Sequence, residues 1–188
     1  MKKFKDYRIG FKINIVYGVV FVTVMTIIGV VLMNYVEKII VEKTDYSLLQ
    51  EVNNINKIIE VISIESNTAS ENKAEFTNKQ SRSYKKIKPI FSEKKYFETG
   101  YPFLVDSIGT ILLHPKIEGS SIHDQSFFLD MTRSKDSLGV IHYLWEGKEK
   151  TLYYRYSKTT SSYICVSLYQ SEYKDSIVVI RYFILFAL

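Results

Sequence analysis

Ile13 to Met33, "INIVYGVVFVTVMTIIGVVLM", runs for 21 residues without a charge and limits what the rest of this chain can be. As a helix rising about 1.5 Å per residue it covers about 30 Å, the thickness of a bilayer's hydrocarbon core. A signal peptide's apolar region is shorter, about 7–15 residues, and no A-x-A-like cleavage site comes after it here. An uncleaved membrane anchor over residues 13–33 is therefore expected. Lys2, Lys3, Lys5, Arg8 and Lys12 crowd into residues 1–12, so five of the 25 Lys and Arg belong to a topogenic flank. Positive charge holds residues 1–12 in the cytoplasm and sends the chain after Met33 outside, into the periplasm or beyond the cell. The formal net charge is +5, but the remaining bases are interleaved with acids. No basic helix or aromatic RNA-binding motif appears, which excludes a nucleic-acid partner.

The far end is apolar again: "SIVVIRYFILFAL" closes the sequence at Leu188. Twelve residues from Ile177 reach only about 18 Å as a helix, too short to cross. The reading is the first part of a second transmembrane helix, residues 177–188, with Arg181 snorkelling at the outer interface. Residues 34–176 then form an extracytoplasmic domain between two anchors. Cys165 is the sole cysteine. It can form no intramolecular disulfide and no cysteine zinc site, and within "YICVSLY" it reads as a small buried hydrophobe.

Between Val36 and Ile64 there is neither proline nor glycine, and Leu48, Val52, Ile55, Ile59 and Ile62 are spaced 4, 3, 4, 3. That is helical spacing of the a/d kind. Ile58 and Val61 widen the stripe, so the helix can face its own sheet, a second copy in a homodimer, or both. Asn67 to Arg82 is polar and aperiodic, a loop or frayed helix. Ser83 to Tyr96 reads as a shorter helix in which Pro89 is tolerated only at the start or at a break. The period then becomes two. Tyr101, Phe103 and Val105 alternate; "DSIG" turns, with Gly109 free to take positive φ; "TILLH" returns to Pro115. Val140–Trp145 and Thr151–Tyr156 form a second hairpin across "EGKEK", and "SSYICVSLYQ" is a fifth strand. The expected class is α+β: a transmembrane helix, a long helix packed on a PAS-like antiparallel sheet of about five strands, then the second membrane helix.

The ordered set "ETGYPFLVDSIGTILLHPKIEG", "GVIHYLWEGKEKTLYYRYS" and "YICVSLYQSEY" resembles the single-Cache sensory domain of bacterial chemoreceptors. The opening "MKKFKDYRIGFKINIVYG" is similar to the start of methyl-accepting chemotaxis proteins. "TTSSY" stands where that family usually has an aromatic pair before the last strand. The resemblance implies a small pocket on the sheet's concave face, taking an organic acid, an amino acid or a similar metabolite. It also implies a role in chemotaxis by displacement of the membrane helices.

The residues themselves point the same way. Tyr and Trp buried in a sheet need partners for O–H and N–H, which a ligand can supply. Tyr101 and Phe103 share one face; His114, Tyr143, Trp145, Tyr154 and Tyr156 are further candidates for the lining. Arg155 alternates with its tyrosine neighbours, so either it or they point inward, and inward it would clamp a carboxylate. Lys94 and Lys95 lie before the first strand, as a solvated helix end or as carboxylate contacts. His123, Asp124 and His142 match no metal motif, and no cofactor is expected. With no G-x-S-x-G, P-loop or paired carboxylates on a recognisable scaffold, the chain is not expected to be an enzyme. The rival readings are the input domain of a sensor kinase or cyclase, a tethered protein-interaction module, and an anchored enzyme.

Overall fold

The structure is a computed structural model and describes residues 8–68 and 76–187. Lys2, Lys3 and Lys5 of the basic flank, residues 69–75 of the polar segment, and Leu188 lie outside the described residues. The chain divides into two units, residues 1–42 with 173–188, and residues 43–172.

Helix α1, Ile9–Thr68, is a single helix of 60 residues, and its first part belongs to the smaller unit. It contains the one described helix long and apolar enough to cross a membrane, with a mean hydropathy of 2.7 in its most apolar stretch. Val16, Val19, Phe21, Ile27 and Val31 there are exposed, so the apolar surface is not covered by protein. Thr23 and Thr26 return their hydroxyl protons to Val19 O and Val22 O, each at 2.8 Å. That back-bonding satisfies these two hydroxyls within their own helix. Helix α4, Ser171–Ala187, contributes Arg181, whose Nη2 pairs with Glu37 Oε2 at 3.3 Å. Both side chains are exposed, so the pair adds little stability.

The larger unit is built on an antiparallel sheet of five strands in the order β2-β1-β5-β4-β3. These are β1 Tyr101–Asp106, β2 Ile111–Leu113, β3 Leu138–Trp145, β4 Lys148–Ser157 and β5 Ser162–Tyr169. Both faces of the sheet are covered, which is why β1 and β5 are apolar nearly throughout. On one side, Leu48, Val52, Ile55 and Ile59 of α1 are buried. The face they meet is identified by two bonds: Tyr153 Oη donates to Asp45 Oδ1 at 2.7 Å, and Arg155 Nη1 donates to Asn53 Oδ1 at 2.6 Å. Tyr153 pairs with Val166, Arg155 with Ile164, and Ile164 with Leu104, so those apolar residues share the α1 face. The helical stripe is thus used on its own sheet, whereas Ile58 and Val61 point outward. Each fully buried aliphatic on it contributes about 1.5–3 kcal/mol.

The opposite face carries a second core: Phe103, Val105, Ile111, Leu152, Tyr154 and Cys165 from the sheet, with Phe127, Phe128 and Met131 from helix α3, Ser126–Arg133. This short amphipathic helix has no counterpart in the strand-and-loop pattern expected after Pro115.

Two boundaries differ from the sequence expectations. Helix α2, Phe76–Glu93, begins before Ser83 and runs through Pro89 rather than breaking there. Proline so near the helix end costs a single N–H bond, and Ser92 Oγ adds a bond of 3.0 Å to Pro89 O. The β3–β4 connection is two residues, not the five of "EGKEK". Glu146 (φ 50) and Gly147 (φ 76) both take positive φ, the geometry of a type I′ turn, so β4 starts at Lys148. The β1–β2 turn does need its glycine. Gly109 has φ 92, and Asp106 Oδ1 caps the turn by accepting from the N–H of Ile108 (3.0 Å) and Thr110 (2.7 Å).

Candidate functional site

Between the α3 face of the sheet and the segment that precedes β1 lies a cavity of about 560 Å3. Alternation decides which side chains enter it. Tyr101 and Phe103 of β1, Tyr143 and Trp145 of β3, Lys150 of β4, and Ser167 and Tyr169 of β5 all point to this face and line the cavity. The ladder holds them in rows: Tyr101 faces Ser167, Tyr143 faces Lys150, and Lys150 faces Tyr169.

His114, directly after β2, closes one wall. Its ring meets Tyr101 edge-on at 4.8 Å and Phe103 at 5.6 Å between centroids. Its Nδ1 accepts from two successive backbone N–H groups, Lys116 at 2.9 Å and Ile117 at 3.1 Å. Those bonds require an unprotonated Nδ1 and pin the loop that carries Lys116 and Ile117 into the lining. Burial, then the charges of Lys150 and Lys116, push the His114 pKa down to about 4, with Glu118 opposing. On the α3 side Phe127 packs on Tyr143 at 4.4 Å and on Trp145 at 6.2 Å.

Lys150 sets the electrostatics. It is only 4% exposed. Its Nζ lies 4.7 Å from the centre of the Tyr169 ring and 5.4 Å from that of Tyr101, and no carboxylate among the described residues pairs with it. Burial lowers its pKa; Glu146 and Glu172 act against that, and Lys116 with it. The Tyr101 and Tyr143 phenols are raised by burial, which the neighbouring Ser167 hydroxyl partly offsets. Both are therefore proton donors at neutral pH. The cavity accordingly presents one buried ammonium, the phenolic O–H groups of Tyr101, Tyr143 and Tyr169 and the Ser167 hydroxyl within an apolar, largely aromatic wall. Lys94, Lys95 and Lys116 stand at the margin with Glu98 and Glu146. Lys94 is ion-paired with Glu51 of α1, to which Tyr96 Oη also donates at 3.0 Å.

Of the residues singled out in the sequence, Tyr101, Phe103, His114, Tyr143 and Trp145 are brought together here. Tyr154, Arg155 and Tyr156 are not. Tyr154 is on the cavity side of the sheet but buried in the core beneath β3, its ring against Gly139 and 6.3 Å from Tyr163. Tyr156 packs on Tyr163 at 4.9 Å. Arg155 faces α1, as the alternation requires once the tyrosines face the other way. Lys150, Ser167, Tyr169 and Phe127 escaped the sequence reading. Counting back in twos from Tyr154 reaches Lys150, but only if the turn is two residues long. His123 pairs with Asp124 at 2.8 Å and His142 with Thr151 at 3.0 Å, so the three do not converge on one point.

No curated protein matches this sequence. Among solved structures, the chain is similar to one described as "Structural basis for carboxylic acid recognition by a Cache chemosensory domain", with 18% identity, 69% of this chain and 92% of that chain covered, and a TM-score of 0.49. It is similar to a methyl-accepting chemotaxis protein from Vibrio parahaemolyticus RIMD 2210633, with 17% identity, coverage of 70% and 97%, and a TM-score of 0.39. It is also similar to the ligand binding domain of Mlp24 with asparagine, with 16% identity, coverage of 50% and 38%, and a TM-score of 0.40. This chain spans 38% of that protein and of each of two further matched structures. A family model is firmer ground: that of the Cache 3/Cache 2 fusion domain matches residues 77–181, more than half of the 188 residues, and the chain belongs to that family.

Proposed function

We propose that this Cache domain is the extracytoplasmic sensor of a transmembrane chemoreceptor and that its cavity takes a small anionic metabolite, a carboxylic acid or an amino acid. The observation that carries the ligand class is Lys150, a buried ammonium open to the cavity with no carboxylate paired to it among the described residues. A charge so placed is costly unless a counter-charge arrives, and a ligand carboxylate supplies one. The phenols of Tyr101 and Tyr143 and the Ser167 hydroxyl stand ready to donate to its oxygens, while Phe103, Phe127 and Trp145 take its carbon skeleton. About 560 Å3 falls within the usual range of small-molecule sites. The domain acts by binding, not catalysis.

In this reading residues 13–33 anchor the chain with its basic start in the cytoplasm, residues 34–176 sense, and residue 177 onward opens a second span. Ligand that binds one of two conformations better shifts the population between them, and the membrane helices move by an ångström or two. The exposed Ile58 and Val61 on α1 give a second copy a place to pack, as a homodimeric receptor requires.

The test is thermal melting of the full chain in detergent with acetate, pyruvate, succinate or L-asparagine. A ligand present at 100 times its Kd stabilises the folded state by about 2.7 kcal/mol. A rise in Tm with at least one of the four is expected. No rise with any of them at concentrations up to about 50 mM, far above the Kd of a useful sensor, would overturn the reading.

A further inference from the structure

The cavity's rim is tied directly to the first turn of α4. Glu172, the second residue of that helix, accepts from the backbone N–H of Glu98 at 2.7 Å and of Thr99 at 3.1 Å through Oε2. The Thr99 hydroxyl bonds its other oxygen. Glu98 and Thr99 themselves line the cavity. They sit in a tight clip: Tyr96 and Gly100 exchange two backbone bonds of 2.9 and 2.8 Å, and Phe97 is held at φ 53. Gly100 is required at its base, since a Cβ there would come within 2.5 Å of Tyr96 O. The closed clip turns two consecutive N–H groups outward, a concave donor pair that suits one carboxylate. A side chain that merely capped α4 would bond that helix's own amides; this one reaches 73 and 74 residues back along the chain.

We propose that Glu172 is the positioning residue through which occupancy of the cavity reaches α4. This inference rests on the sensory reading above and adds the connection that reading lacks. The clip is short and closed, so a ligand pressing on Glu98 and Thr99 moves it as one piece, and the carboxylate moves with it. An anionic ligand at Lys150 also approaches the negative charge of Glu172, which already acts on that lysine. Contact and charge thus meet at one residue.

The experiment uses the full chain in detergent, with nitroxides at Val31→Cys and Tyr182→Cys; both positions are exposed, whereas Cys165 is buried and will not compete for label. The probe is whichever of acetate, pyruvate, succinate and L-asparagine most raises the melting temperature. With Glu172 intact, the probe should change the label-to-label distance by about 1–2 Å. In E172A the probe should still bind within about threefold of its original affinity, but the distance change should vanish. E172Q retains one acceptor oxygen for both N–H groups and should restore part of the change; a role of charge alone would be lost in both variants. An undiminished distance change in E172A overturns the proposal, and so does a loss of probe binding in that variant. A second measurement needs no probe: hydrogen exchange of the Glu98 and Thr99 amides should quicken at least tenfold in E172A. Unaltered protection there overturns the tie even if no carboxylate binds, an outcome that by itself sinks only the sensory reading.

Discussion

Lys150 stands directly opposite Tyr143 across the β3–β4 ladder, so a buried ammonium and a phenol kept protonated by burial face the same space from adjacent strands. One is a fixed positive charge and the other a donor, and together they favour an acceptor-rich, negatively charged guest.

Lys150→Met separates binding from folding. Methionine fills similar volume without the charge, so the melting temperature should hold or rise by a few degrees. Carboxylate affinity should fall about 10- to 100-fold, the loss of one charge-assisted hydrogen bond of about 1.5–3 kcal/mol. Titration calorimetry of the two proteins decides it; unchanged affinity in Lys150→Met would remove the basis for the proposed ligand class.

His114 should make stability depend on pH in a defined window. Its folded pKa of about 4 lies below the ordinary 6.5, so between these values the unfolded chain binds more protons. Stability is therefore full above about pH 6.5 and declines as pH falls towards 4, below which this residue adds no further slope. His114→Asn keeps an acceptor for the Lys116 and Ile117 amides but does not titrate, and should flatten that stretch of a Tm-against-pH curve. An identical curve for both proteins would count against the neutral-histidine pin.

Glu51 titrates below its ordinary range. Burial raises its pKa, but the bonds from Lys94 and Tyr96, the charge of Lys94 and a bond from Asn54 together outweigh it, and the net shift is downward. Its contribution is present above the ordinary 4.5 and disappears as pH falls through the depressed value. Glu51→Ala should cost about 1–2 kcal/mol in a denaturant titration, because it leaves Lys94 and the Tyr96 hydroxyl without their shared acceptor. A cost under about 0.3 kcal/mol would show that water replaces it freely.

The two sides of α1 should respond unequally. Ile55→Ala removes a fully buried side chain and should cost about 2–5 kcal/mol, whereas Val61→Ala, 56% exposed, should change the stability of a monomer by less than about 0.5 kcal/mol. If Val61→Ala proves as costly in a concentration-dependent melt, that face is buried against a second copy in solution.

Gly109→Ala should cost about 2 kcal/mol or more. The added Cβ meets the His123 backbone at 2.8 Å, and a φ of 92 is strained for any residue with a side chain. Unfolding at unchanged denaturant midpoint would mean that the turn can reshape.

Much of this architecture was legible because local patterning is strong. The heptad-like run from Leu48 to Ile62 marked a helix face, and the alternation of Tyr101, Phe103 and Val105 marked a strand with its inner side. Neither pattern says what lies opposite, so the stripe could not be assigned to a sheet or to a partner until Tyr153 and Arg155 were seen to bond α1. Helix α3 was invisible because eight residues hold only two turns, too few for a period to emerge beside "HDQSFF". The candidate site was half legible. Aromatics declared themselves by type, but Lys150 lay hidden in what read as a polar connection. Tyr154 and Tyr156 had the right face and the wrong position along it: being inside does not distinguish a wall from a foundation.

The two-residue turn at Glu146-Gly147 has a reach beyond its own backbone. Strand β4 shows Lys150 to one side and Tyr153 and Arg155 to the other, and the turn's length alone fixes that parity. A slip of one residue, pairing Trp145 with Glu149 instead of Lys148, would exchange the two sets, setting Thr151 opposite Tyr143 where an ammonium now waits and turning the cation towards the opposite helix. Point replacements on this face thus tune the cavity's shape, whereas a slip of hairpin register rewrites its charge in one step, at the peril of the whole scaffold.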